Sequence, residues 1–122
     1  MSASPGKLLL AVALMLVALF AWSHQRTIAR HDPRHTTGAD GMVVLKASWC
    51  GYCQRLEAGL KRAGVPYQEL DIEESSDGEY AFAALHARAV PVMVIGQDVV
   101  YGYDTQKLGR LLADRGYRVE FE

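Results

Sequence analysis

Apolar and polar residues follow three different rules along this chain. Residues 8–22 read LLLAVALMLVALFAW, apolar on every face of any helix they form. That pattern suits lipid rather than the one-sided stripe of a helix packed on a core. Residues 24–40 carry Pro33, Gly38, three threonines and three histidines with no apolar period, which predicts a mobile tether. From residue 42 onward, short β-branched runs alternate with segments of helical period. Met42–Lys46 (MVVLK) predicts a buried strand, and residues 52–63 place Cys53, Leu56 and Leu60 on one helical face, closed by Gly64. Residues 67–72 predict a second strand, parallel to the first across that helix. Residues 78–88 predict a helix capped from Ser75 to Asp77, and Val92–Ile95 a strand returning through Gly96-Gln97-Asp98 into an antiparallel partner at residues 99–101. Residues 104–114 close the pattern as a helix with Leu108, Leu111 and Leu112 inward. The order β-α-β-α-β-β-α predicts an α/β fold, a mixed four-stranded sheet with helices packed on it.

Composition narrows this picture to one small domain plus an appendage. The 122 residues are 50% apolar and 22% charged, with 13 Lys and Arg against 14 Asp and Glu. Such a balance excludes a strongly basic nucleic-acid binder and a polyacidic disordered chain. The charge is uneven: residues 1–39 hold Lys7, Arg26, Arg30 and Arg34 against Asp32 alone, while residues 40–122 carry a net −4. The division predicted is a membrane segment over residues 1–23, a tether over 24–40 and a soluble domain over 41–122.

As a helix, the run from Leu8 to Trp22 covers about 22 Å, short of the roughly 30 Å hydrocarbon layer. It therefore either spans with help from its flanks or serves as the core of a signal segment. Ala21-Trp22-Ser23 permits cleavage before His24, which would export the domain. Arg26, Arg30 and Arg34 outnumber the leading cations and favour holding the following domain in the cytoplasm. A retained single-pass anchor is the preferred reading, and these opposed signals leave the side of the membrane open. His24, His31 and His35 form no expected metal site, because Pro33 disfavours the helix that would align His31 with His35.

The only two cysteines, Cys50 and Cys53, lie in one C-x-x-C between a predicted strand and a predicted helix. Residues three apart on a helix can close a disulfide without moving the backbone. At the helix start, unpaired N–H groups and the positive end of the dipole favour a thiolate, so the Cys50 thiol is expected below its free pKa. Cys53, one turn in, is expected to be shielded. Cys50 would then attack a substrate disulfide and Cys53 would resolve the mixed disulfide. A zinc ribbon would need a second ligand pair that the chain lacks, and Gln54 stands where a haem-attachment motif needs histidine.

The segments VVLKASWCGYC, Ala89-Val90-Pro91 and Tyr101-Gly102-Tyr103-Asp104, in this order and spacing, resemble the glutaredoxins of the thioredoxin fold. The likeness covers residues 42–112 and implies a three-layer β-α-β-α-β-β-α domain. It also implies that Pro91 is preceded by a cis bond and faces the disulfide, and that Val90 presents its backbone to the substrate. Substrate or glutathione contacts fall on Lys46, Tyr52, Val90, Pro91, Tyr103 and Asp104. Three departures bear on the substrate. Trp49 looks like a thioredoxin residue, Ala47 occupies the family's basic position with Lys46 one earlier, and Asp104 is followed by Thr105 in place of a second acid. Lys46 is either a substitute carboxylate ligand or a solvated strand end, and Asp104 either a ligand or a helix cap.

The resemblance implies a thiol-disulfide oxidoreductase with no bound cofactor, acting as a monomer on protein disulfides or glutathione mixed disulfides. Its electron donor would be glutathione or a flavin disulfide reductase, and nucleic acid is not among its expected partners. Two other readings stay open at this level, an iron–sulfur cluster held between two copies and an exported disulfide oxidase or isomerase.

Overall fold

The axis of the fold is the apolar strand β1 (Met42–Lys46), which is flanked on both sides. In the computed structural model, which describes residues 4–122, the elements run α1 (Pro5–Arg30), α2 (Arg34–Thr37), β1, α3 (Gly51–Arg62), β2 (Gln68–Asp71), α4 (Ser76–Ala84), β3 (Val92–Ile95), β4 (Asp98–Tyr101) and α5 (Thr105–Ala113). The sheet order is β2-β1-β3-β4. β1 pairs in parallel with β2, Lys46 opposite Asp71, and antiparallel with β3, Leu45 opposite Val92. β3 pairs antiparallel with β4. This is the mixed sheet predicted from the pattern.

The unbroken apolar run of β1 reflects cover on both faces. Met42 and Val44 pack with Leu56, Leu60, Leu108 and Leu112 of α3 and α5, while Val43 and Leu45 pack with Ala81 of α4 and with Leu85 at its C-cap. Three layers result. Each fully buried leucine among these contributes about 1.5–3 kcal/mol through its removal from water.

Helix ends differ from expectation where the signal is not a glycine. Gly64 (φ +70°) ends α3 as expected, with Gly64 N–H donating to the Lys61 carbonyl and Val65 N–H to that of Leu60. α4 makes the same pair of bonds, His86 to Ala83 and Ala87 to Phe82, with His86 in the left-handed position at φ +53°. It therefore stops at Ala84 and not at Arg88.

The largest departure is at the expected tether. α1 runs on through Arg30, because residues 23–30 contain no glycine or proline and include the good helix formers Gln25, Arg26, Ala29 and Arg30. Beyond it the chain turns and sits against the domain. His31 lies 4.8 Å from Tyr80 between ring centroids and 3.5 Å from the Asp77 carboxylate. Asp32 receives the forked guanidinium and the backbone N–H of Arg34. Gln97 donates to the Arg34 and Gly38 carbonyls, closing α2 onto the β3–β4 turn. The first three residues of the expected membrane segment lie outside the described residues. The rest of its apolar run is exposed along its length, and α1 is long and apolar enough to cross a membrane.

Candidate active site

Past the C-terminal end of β1, the chain turns at residues 47–50, where Cys50 N–H donates to the Ala47 carbonyl at 3.1 Å. Cys50 becomes the N-cap of α3 with an extended backbone, and its Sγ accepts the backbone N–H of Cys53 at 3.1 Å. Sulfur here takes the place a serine or aspartate oxygen takes at an ordinary helix start. The two cysteines are joined as a disulfide with Cα atoms 5.2 Å apart. Cys50 is 5% exposed and Cys53 fully enclosed, so an incoming group reaches only the Cys50 side.

The disulfide is walled by Ala47, Ile72 and Val90. The Val90–Pro91 peptide bond is cis, and the Pro91 carbonyl accepts Gly102 N–H at 2.8 Å, tying the end of β4 to the start of β3. Tyr101 reinforces this junction by donating its hydroxyl to the Leu85 carbonyl at 2.6 Å. Next to it, His86, Arg88, Ala89, Tyr101 and Gly102 line an open cavity of about 460 Å³.

Aromatic groups border the cysteine helix. Tyr52, 58% exposed, lies 5.7 Å from the Tyr103 ring, and Tyr103 meets Phe121 edge-on at 5.9 Å. Burial pushes the Tyr103 hydroxyl up from its usual pKa. Trp49 is exposed and donates Nε1–H to Glu73 at 2.6 Å.

Two of the residues proposed from sequence have structural partners, and for Asp104 the cap reading is the one seen. Asp104 is the N-cap of α5, its Oδ1 accepting Lys107 N–H at 3.1 Å. Lys46 is neither a free strand end nor aimed at the cysteines. It follows Met42 and Val44 onto the α3 face, with its ammonium 3.6 Å from Glu57 and 3.5 Å from Glu69. Burial alone would lower the Lys46 pKa, but the two carboxylates outweigh it and hold the group charged. Glu57 is pushed up by burial and then by Glu69, while Glu69 is held down by its hydrogen bond with Glu57. The Tyr67 hydroxyl, which reaches both carboxylates at 3.4 Å, is raised by burial and by their charge.

The structure thus brings Cys50, Cys53 and Val90 together, with Pro91 adjoining, and sets Tyr52 beside Tyr103. The sequence reading did not single out Ile72 against the disulfide, or Glu57, Glu69 and Tyr67 around Lys46. Glu57 carried a usable signal, since it stands four residues after Cys53 on the buried stripe of α3.

Residues 42–100 match the family model described as glutaredoxin. Among curated relatives, glutaredoxin-C1 of Arabidopsis thaliana is 33% identical over 79 residues, 58% of this chain and 63% of that protein. Glutaredoxin-C2 of the same plant is 25% identical over 63% of this chain and 73% of its own length. Among solved structures, a buckwheat glutaredoxin–glutathione complex aligns with a TM-score of 0.60 at 26% identity, covering 76% of this chain and 94% of that one. The holo form of glutaredoxin C1 from Populus tremula x tremuloides aligns at 0.57 and 28% identity, covering 72% and 97%.

Proposed function

We propose that residues 42–100, which match the glutaredoxin family model, form a glutaredoxin domain on the thioredoxin fold, and that this chain is a membrane-anchored thiol-disulfide oxidoreductase. One observation carries the reading. The only two cysteines of the chain form a disulfide at the N-terminus of α3, with the outer sulfur accepting a helix N–H and the inner sulfur enclosed.

In the reduced enzyme, the Cys53 N–H and the positive end of α3 stabilise a thiolate on Cys50. That thiolate attacks one sulfur of a substrate disulfide, and the electron pair of the broken S–S bond leaves on the other sulfur, which takes up a proton. The Cys53 thiol then loses its proton and attacks Cys50 Sγ. The second substrate thiol is released, and the Cys50–Cys53 disulfide described here is formed. Two electrons have passed to the substrate. Two glutathione thiols would return them by the reverse sequence of exchanges, and a flavin disulfide reductase is the alternative donor. Direction depends on the potential of the compartment and not on the motif.

The substrate backbone lies along Val90, beside the disulfide. Lys46 is neutralised by Glu57 and Glu69, so a glutathione carboxylate meets Arg88 at the neighbouring cavity, with Tyr52 and Tyr103 bordering the approach. α1 holds the domain at the membrane as a retained single-pass anchor.

Turnover of a glutathione mixed disulfide by Cys50→Ser and Cys53→Ser chains tests the roles. Cys50→Ser is expected to be inactive, while Cys53→Ser retains glutathione-dependent turnover and loses reduction of protein disulfides. Full activity in Cys50→Ser would refute the assignment.

A further inference from the structure

Arg26, Ala29 and Arg30 of α1 and His35 of α2 together line an open cleft of about 390 Å³. Three of its four lining residues are basic and none is acidic. The carboxylates nearby in sequence and across the packed helix are already engaged, Asp32 by the Arg34 fork and Asp77 by His31. Among the described residues, neither Arg26 nor Arg30 enters an ion pair. The cleft thus concentrates positive charge, and its two arginines have no carboxylate partner among the described residues.

Its height along α1 says what the partner is. Lys7 and Arg26 bracket an uncharged helical stretch, and the 19 residues of rise between them give about 28 Å, close to the roughly 30 Å hydrocarbon layer. The 15-residue apolar run is thus completed by residues 23–25, and Arg26 emerges at the hydrocarbon boundary. Its guanidinium lies over the Trp22 ring at 3.7 Å, an aromatic residue suited to that boundary. Arg30 stands one turn further, about 6 Å along the axis, within the headgroup layer. Helical side chains lean toward the helix N-terminus, here toward the bilayer. His35 returns on α2 to complete the wall.

We propose that this cleft binds the phosphodiester headgroup of an anionic phospholipid in the leaflet on the domain's side. The bound lipid fixes the domain against the membrane surface, through His31 and α2, in one orientation. The proposal rests on the anchor reading of α1 given above.

The chain contains two tryptophans, so a full-length Trp49→Phe protein leaves Trp22 as the sole reporter beside the cleft. It is reconstituted in phosphatidylcholine vesicles containing a minority of phosphatidylglycerol, with brominated acyl chains carried at equal mole fraction either by phosphatidylglycerol or by phosphatidylcholine. Brominated phosphatidylglycerol is expected to quench Trp22 about two- to fivefold more strongly. Adding Arg30→Gln and His35→Gln, which leave Arg26 on Trp22, is expected to abolish the preference. Inorganic phosphate at constant ionic strength is expected to leave it intact, and its loss there would assign the cleft to a free phosphate and overturn the lipid proposal. Equal quenching by both lipids, or a preference that survives the double substitution, would overturn the headgroup site while leaving the anchor standing. Quenching by neither lipid would overturn the anchor and the site together.

Discussion

The backbone N–H of Cys53 points at Cys50 Sγ from 3.1 Å, so in the proposed mechanism the residue that resolves also supplies a hydrogen bond to the sulfur it attacks. The residues between them, Gly51 and Tyr52, form the first turn of α3, and their geometry sets that distance. When the disulfide opens, the N–H remains aimed at the N-cap, where a thiolate is a better acceptor than a thiol.

Lys46 separates packing from recognition. Replacing it with Met removes the cation between Glu57 and Glu69 and is expected to cost about 1–3 kcal/mol, the penalty for leaving a buried polar group unpartnered. The folded-state pKa of Glu57 is already raised, so the stability tied to its protonated form is lost as pH rises through that value. Without Lys46 the loss is expected to deepen from acid toward neutral pH. Denaturant melts across pH check this. The KM for glutathione is expected to stay near wild type in Lys46→Met and to rise roughly fivefold in Arg88→Ala, the worth of about 1 kcal/mol for a charge pair at a rim.

Asp104 gives a second separation. Asp104→Ala is expected to cost about 0.5–2 kcal/mol through loss of the α5 cap, and Asp104→Ser to restore most of it. If capping is its whole role, Asp104→Ser also keeps the wild-type KM. Thermal melts and steady-state kinetics on the two variants read the two effects.

The junction between α1 and the domain has an acid limb. The Arg34 fork holds the Asp32 carboxyl below its ordinary value of 3.8. The resulting stabilisation is complete above that value and is lost as pH falls through the depressed folded-state value. Asp32→Asn is expected to be less stable at neutral pH and to show a flatter acid limb than wild type. Chemical denaturation at a series of pH values below neutrality checks both.

Most of the sheet was legible because β1 and β3 are short apolar runs with clear bounds, Gly41 and Lys46 for β1 and Pro91 and Gly96 for β3, and both fall where the pattern predicts. The cysteine turn was equally legible, since a C-x-x-C ahead of a helical stripe leaves few geometries. Three features were not. His86 ends α4 in a conformation that sequence rules assign to glycine or asparagine. The continuation of α1 past Trp22 depends on the absence of breakers before Pro33, and it was hidden by the loss of apolar period. The turning of Lys46 away from the cysteines follows from strand alternation, which places it with Met42 and Val44. A reading by motif position alone does not register that.

The central claim is that the sulfur of Cys50 is activated by the helix it caps. Alkylation rates of the single thiol in full-length Cys53→Ser, followed from acid to alkaline pH, measure this directly. The account predicts a midpoint clearly below the ordinary cysteine value of about 8.5, and a midpoint at or above that value would contradict it.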